Sequence, residues 1–464
     1  MRDRSSPTAD RGRARTPEEG GAARAFTGRG FELYLMTAAV LAPIAVPAGP
    51  ANTALLDAVN VIALAAFLIV TLRHGAPVRF LFAVPMIVIL ARSLVASGNA
   101  ISVSASFLSL TRDVYLYLWF VMLVAVMSRS ADRVRVRLAW LAAACALALG
   151  TLGAAFVQGD LSLPSLLMAR GPRLSGTFPN ANMFADYLML SAFIALGLIG
   201  RLRLALLAPA LALLGLALLT TKSNGGLTSL AAGVAVWLPA RAWYGGVALP
   251  RVAGAVALAL AGLVLLGWVA TQTGTGTEMV RRVRERSVLA RISHSSESRQ
   301  DIWRPLERKY EETPVGLGPG NSSSQPLEIG ERERPDSFIS KEAHNDYVAY
   351  AVERGPLALL ALLAWTAQVF VMLLAARART AAGAGHAAAD PALLAALLGG
   401  LVGTCVHSMV IEKLNFRHFW LFLSLACATC APARDLAAAR PRPRPRPAGA
   451  LGFSPLAAGR GGGE

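Results

Sequence analysis

The feature that most limits what this chain can become is a succession of twelve apolar blocks, most of them long enough to cross a bilayer, for which roughly 17 to 25 residues suffice. They run near Leu33–Gly49, Asn52–Leu72, Phe80–Ala96, Leu108–Met127, Val136–Val157, Met183–Gly200, Leu202–Thr220, Leu227–Ala240, Val252–Ala270, Pro356–Ala376, Ala392–Ile411 and Phe416–Cys430. With 55% hydrophobic and 16% charged residues among 464, too few polar side chains remain to cover a soluble globule. The expected fold is all-α: a polytopic membrane protein of about 12 transmembrane helices.

A net charge of +17 would suit nucleic acid, but the basic residues sort by loop, as membrane orientation demands, and no nucleic-acid partner is expected. Seven arginines precede the first block, and Arg73, Arg79, Arg129, Arg133, Arg135, Arg137, Arg201, Arg203, Arg241, Arg251, Arg377 and Arg379 fall on the same side when the blocks are followed in turn. The Arg-Pro run from Arg440 to Arg446 joins them, whereas the opposite loop, Ser97–Phe107, carries no charge. Both termini are therefore expected in the cytoplasm of a bacterium, with the protein in its inner membrane and no cleavable signal peptide. Residues 1–30 and 433–464 are rich in Arg, Pro, Gly and Ala, cannot bury a core, and are expected to be disordered. Between them lie helices one to nine (31–271), one large periplasmic loop (272–354) and helices ten to twelve (355–432). Cys145, Cys405, Cys427 and Cys430 all fall in apolar blocks, and no metal set is expected from them.

Four outward-facing places carry the polar chemistry. In the first, Arg170–Asn182, Gly and Pro shape a loop with Arg173 ahead of a helix that Asn180 or Asn182 is suited to cap, a setting that favours an anion. The second is a Gly-rich turn, Thr220–Gly226, with one cation, Lys222. The third is the arginine-rich run Arg281–Arg308, whose apolar spacing suits a helix resting on the membrane, with Arg299 ahead of Trp303 singled out. The fourth is His344-Asn345-Asp346-Tyr347, followed by Glu353-Arg354-Gly355; an unperturbed histidine, with a pKa of about 6.5, suits a general base. Asp346 and Glu353 can orient His344 or pair with arginines, and the sequence leaves both open. Arg92 and Arg112 lie inside apolar blocks, where a cation needs a partner or a polar cavity, so each is a candidate for a lipid-phosphate path.

Together, the Arg-containing loop with Ser175-Gly176-Thr177-Phe178-Pro179-Asn180-Ala181-Asn182, the Ser223-Asn224-Gly225 turn, Arg299 before Trp303, Pro314 before Gly316-Leu317-Gly318, and His344-Asn345 before Glu353-Arg354-Gly355 resemble the O-antigen ligase and polymerase family of bacterial envelope glycosyltransferases. The resemblance runs from about Phe31 to Cys430. It implies a GT-C-like scaffold that moves a glycan from an undecaprenyl diphosphate carrier to an acceptor hydroxyl at the periplasmic face, without cofactor or metal. The acceptor would be lipid A core for a ligase or another carrier-linked glycan for a polymerase, with membrane lipids as surroundings.

By position, the resemblance assigns His344 as catalytic and Arg173 and Arg299 to the diphosphate. Lys222 is a weaker third cation, because Asn224 stands where many members carry arginine and a lysine lacks the bidentate fork. Asn345, Asp346, Glu353, Asn182 and Trp303 are the supporting residues. Cations around a leaving diphosphate stabilise charge that grows in the transition state, and attack from the opposite face would invert the anomeric carbon. A carrier that binds the same lipid-linked glycan without transferring it is the rival reading. Transporters, however, usually place ionisable residues near the midplane and often repeat halves, and no clear internal repeat is found here.

Overall fold

The computed structural model describes residues 29–45, 54–75, 78–129, 133–160, 172–245, 254, 303, 306–322, 343–381 and 390–430. Both chain ends, the ninth apolar block apart from Gly254, Arg299 and most of the polar segment between residues 271 and 342 lie outside them.

Every regular element among the described residues is helical. In chain order they are α1 (Arg29–Leu41), α2 (Leu55–His74), α3 (Ala83–Ala96), α4 (Val103–Arg129), α5 (Arg133–Val157), α6 (Ala181–Leu196), α7 (Leu204–Thr220), α8 (Asn224–Gly245), α9 (Asp346–Arg354), α10 (Pro356–Ala381), α11 (Pro391–His407) and α12 (Arg417–Cys430). Eleven of the twelve apolar blocks thus coincide with a described helix, and α9 is additional. By length and composition alone, α2, α4, α5 and α10 are long and apolar enough to cross a membrane.

The distribution of apolar side chains is that of a bundle immersed in lipid. α6, α11 and α12 bury nearly their whole surface and form the centre. The outer helices expose large apolar residues, among them Ile62 at 72% and Val84 at 74%, which water would penalise and hydrocarbon would not. Small residues set the closest approach. A Cβ at Gly233 of α8 would fall 2.6 Å from the Gly399 carbonyl oxygen of α11, and one at Gly399 would fall 2.7 Å from the Gly233 oxygen. Backbones this close maximise dispersion contacts where no hydrophobic effect drives helices together.

Several block boundaries shift: α1 ends at Leu41 where the first block runs to Gly49, and α4 begins at Val103 rather than Leu108. The eighth block begins at Asn224, three residues before Leu227, and α8 runs 22 residues to Gly245, a full crossing length. The expected Ser223-Asn224-Gly225 turn is therefore a helix start. The Ser223 hydroxyl accepts from the Gly226 amide at 3.2 Å, and this cap draws Asn224, Gly225 and Gly226 into the first helical turn.

The two ends of the bundle are held by different contacts. At one end Arg133 donates to the Ala428 carbonyl (3.0 Å), Arg135 meets Glu32 (2.6 Å), Arg201 meets Asp390 (3.4 Å) and Arg377 stacks over Trp243 (3.5 Å). At the other, Thr177 donates to the Pro43 carbonyl (2.6 Å), and Asn99 and Arg92 reach the Pro314–Gly316 stretch.

Candidate functional site

The candidate site lies at this second end, where α6, α8 and α9 begin. Each helix start leaves unpaired amides and the positive end of a dipole, and each is capped by a side chain just ahead of it. Asn180 accepts from the Met183 amide at 2.8 Å, Ser223 caps α8, and Asn345 accepts from the Tyr347 and Val348 amides at 2.9 and 3.1 Å. Of the two asparagines suited to capping α6, Asn180 does so. Asn182 instead accepts a short hydrogen bond from the Arg173 guanidinium.

Arg173 also donates through Nε to the Thr221 carbonyl at 3.0 Å, and the Leu174 amide donates to the Thr220 carbonyl at 3.3 Å. The first loop is thereby laid along the second, and Arg173 stands beside the backbone that carries Lys222. A Cβ at Gly226 would meet Ala185 of α6 at 2.7 Å, and one at Gly225 would meet Val410 at 2.5 Å and the His407 ring at 3.2 Å. The start of α8 is thus wedged between α6 and the end of α11. The α11–α12 connection then continues to α9, for the Asp346 amide donates to the Ser408 carbonyl at 2.9 Å. A continuous line of contacts therefore joins Arg173, Lys222 and the His344 segment, three regions distant in sequence.

Backbone conformation singles out two of these residues. Among the described residues only Phe82, Lys222 and His344 combine a side chain with positive φ, at 59°, 52° and 51°. The left-handed region is costly for residues with a Cβ and clusters where geometry serves function. Lys222 and His344 each precede a capping residue, so the sharp turn sets each at the mouth of a helix start. Trp303 braces the second of these, its indole donating to the carbonyl of buried Ala343 at 2.9 Å.

Asp346 and Glu353 resolve into separate tasks. Asp346 Oδ1 accepts from the Lys413 and Leu414 amides at 3.1 and 3.4 Å and so fastens the start of α9 to the α11–α12 connection. Its Oδ2 is buried without a hydrogen-bond partner, at the edge of a cavity of about 50 Å³ lined by Tyr347, Tyr350, Trp365, Cys405, Ser408 and Trp420 among others. Burial pushes the Asp346 carboxyl up to about 7, against the lowering effect of Ser408 and Lys413. An acid whose folded pKa exceeds its unfolded value holds its proton better when folded, so this cost is absent below about pH 4 and complete above about pH 7. Asp346→Asn is expected to raise the melting temperature at pH 8 and leave it unchanged at pH 4, because the amide oxygen keeps both backbone bonds without the charge. Equal melting shifts at the two pH values would contradict this.

Glu353 accepts from the Ser322 hydroxyl and amide at 2.7 and 3.2 Å, while its own carbonyl accepts from the Gly318 amide at 2.9 Å. It clamps the Gly316–Ser322 strip. Gly316, at φ 113°, passes so close that a Cβ would lie 2.6 Å from the Glu353 carbonyl oxygen.

Sequence reasoning missed a buried charge cluster directly beneath these starts. Asp186 of α6 accepts from the Lys413 ammonium at 2.6 Å, contacts His407 Nδ1 at 2.6 Å through the same oxygen, and meets His418 Nε2 at 2.9 Å through the other. None of the four side chains is more than 1% exposed. The signal was present: a carboxylate inside an apolar block needs partners, the rule that flagged Arg92 and Arg112, but its partners lie 221 to 232 residues away.

No curated protein matches the chain. Residues 209–363, which include Lys222, Trp303, Gly316–Gly318, His344, Asn345, Asp346 and Glu353 but not Arg173 or Asn182, match a family model described as O-antigen ligase. Over those residues this multi-pass helical protein is similar to the O-antigen ligase family, the family its motifs resemble.

Proposed function

We propose that the chain is a membrane glycosyltransferase that moves a glycan from a polyprenyl diphosphate to an acceptor hydroxyl, acting as an O-antigen ligase at the periplasmic face of the bacterial inner membrane. The observation that carries the reading is the line of contacts, through the end of α11, that links three capped helix starts bearing Arg173, Lys222 and His344. Free amides, helix dipoles and two cations together suit a diphosphate, and a histidine among them suits a proton acceptor.

The bond that breaks joins the anomeric carbon to the diphosphate oxygen, and the electron pair leaves with the diphosphate. Arg173 and Lys222, with Arg299 from the large loop, stabilise that growing charge. The acceptor oxygen attacks the anomeric carbon from the opposite face while its proton passes to His344, so the configuration inverts. Asn345 fixes the start of α9, Trp303 braces Ala343, Asp346 anchors the segment to the α11–α12 connection, Asn182 aims Arg173, and Glu353 holds the glycine strip against α9.

Purified protein, a carrier-linked oligosaccharide and a lipid or soluble acceptor test the proposal, with a glycosylated product in EDTA as the expected result. Donor binding without any product would instead favour the carrier reading. Arg173→Gln is expected to lower kcat by about 10- to 100-fold, the loss of one or two charge-assisted hydrogen bonds to the leaving group. Arg173→Lys should recover part of it, lacking the fork. An unchanged kcat in both variants would remove Arg173 from the diphosphate. Polymerase activity on a second carrier-linked glycan is the alternative within the family, and the same assay with that acceptor separates the two.

A further inference from the structure

Two guanidiniums inside the bundle, Arg92 on α3 and Arg112 on α4, have no task in the transfer just described. Arg112 lies nine positions into α4, about 13 Å along its axis from Val103. Arg92 is four positions from the end of α3 at Ala96. Both therefore sit in the half of the bundle that carries the candidate site.

Their partners are few. Arg92 donates to the Val315 carbonyl at 3.0 Å, Arg112 donates to the Ser109 hydroxyl at 3.3 Å, and the Nε of each is buried without a hydrogen-bond partner. Neither makes an ion pair among the described residues, although each is only partly exposed in a setting where an isolated cation is costly. The carboxylates nearby are committed elsewhere. Asp113 pairs with Arg354 at 2.6 Å, Asp57 with Arg417 at 2.7 Å, and Glu353 accepts from Ser322. Arg92 and Arg112 set against Glu353 leave one positive charge uncompensated among these described groups.

Both residues occupy the same kind of position on their helices. On α3 the positions flanking Arg92 are buried Ile89 and Ala96 on one side and exposed Val95 on the other. On α4 those flanking Arg112 are buried Ser109 and Leu116, with exposed Leu108 opposite. Each guanidinium thus stands at the edge of a lipid-facing apolar stripe. They reach two adjacent residues: a Cβ at Gly355 would lie 3.1 Å from Arg92 Nη2, and Arg354 Nη2 lies 3.4 Å from the same Ser109 hydroxyl that Arg112 contacts. That pair is the far end of α9, a helix of nine residues, about 13 Å long, that begins two residues after His344.

We propose that Arg92 and Arg112 bind the phosphate of a lipid that enters from the surrounding leaflet, and that this lipid is the acceptor. The site rests on the transfer reading above and adds a ruler to it: α9 separates the lipid phosphate from the proton acceptor by about its own length. An acceptor held here presents a hydroxyl well removed from its phosphate, as on an oligosaccharide carried by a phosphorylated lipid, and a lipid bearing a single sugar would fall short.

Two measurements on the full chain in phosphatidylcholine nanodiscs test this. Doped with phosphatidic acid as a lipid phosphate monoester, the wild-type protein should retain it on native mass spectrometry, while Arg92→Gln/Arg112→Gln retains at least about tenfold less, the loss expected for charge-assisted hydrogen bonds. Arg92→Lys/Arg112→Lys should retain an intermediate amount, and the melting temperature of each variant reports whether folding is intact. Equal retention by wild type and the glutamine variant, or displacement by millimolar inorganic phosphate, would overturn the site. In transfer assays the glutamine variant should raise KM for a phosphorylated lipid acceptor by about tenfold, with KM for the donor unchanged. A change in donor KM instead would overturn the acceptor assignment. If the wild type transfers nothing, the preceding reading falls and the acceptor assignment with it, and lipid retention still decides the phosphate site.

Discussion

His344→Ala is expected to reduce glycosyl transfer by about 10²- to 10⁴-fold, the usual contribution of a positioned general base, with donor binding preserved. Two properties of His344 contribute, and different variants separate them. His344 supplies an imidazole beside the start of α9, and it also holds a left-handed backbone at φ 51° that alanine adopts poorly. His344→Asn keeps the backbone, because asparagine tolerates that region, and removes the base. Equal losses in both variants assign the effect to the imidazole. Recovery in the asparagine variant would show that the turn matters and that the proton goes elsewhere. A pH profile of kcat whose acidic limb disappears in His344→Asn would complete the case.

Lys413→Met is expected to destabilise the protein by about 3 to 5 kcal/mol, because it removes the cation from a fully buried carboxylate. Asp186 shares one oxygen between Lys413 and His407 and gives the other to His418, so four side chains on α6, α11, α12 and the α11–α12 connection depend on a single charge balance. Asp186→Asn/Lys413→Met should recover part of the loss, since breaking a buried pair costs more than replacing it. Chemical denaturation in detergent with a helix-sensitive signal measures both, and a loss below about 1 kcal/mol in Lys413→Met would contradict the buried-charge account. The cluster also bears on the site. The Lys413 amide holds Asp346 at the start of α9, and the His407 ring lies against Gly225 at the start of α8. Activity should therefore fall in Lys413→Met even in the fraction that remains folded.

Much of the architecture was legible because hydrophobic length is a local property. Eleven apolar blocks coincide with described helices, since the length of an apolar run is set by neighbouring residues. One misjudged boundary, Asn224 for Leu227, arose because Asn-Gly-Gly reads as a turn. The Ser223 cap and the close packing of Gly225 and Gly226 against Val410 and Ala185 override that propensity.

The site divides along the same line. The family resemblance, together with residue chemistry, picked out His344, Arg173, Arg299 and Lys222 as candidates, in loops expected on one face of the membrane. It gave no means of choosing Asn180 over Asn182 as the α6 cap, or of seeing that Glu353 faces Ser322 rather than His344. Nor did it find Asp186 with His407, Lys413 and His418. Those decisions belong to the tertiary structure: Glu353 meets Ser322 across 31 residues and Asp186 meets its histidines across 221 and 232, while the α6 cap, though local, depends on Arg173 lying against Thr221 and taking Asn182. A cap is decided by which side chain the loop packing leaves at the helix start, and a buried charge by which partners the bundle delivers to it.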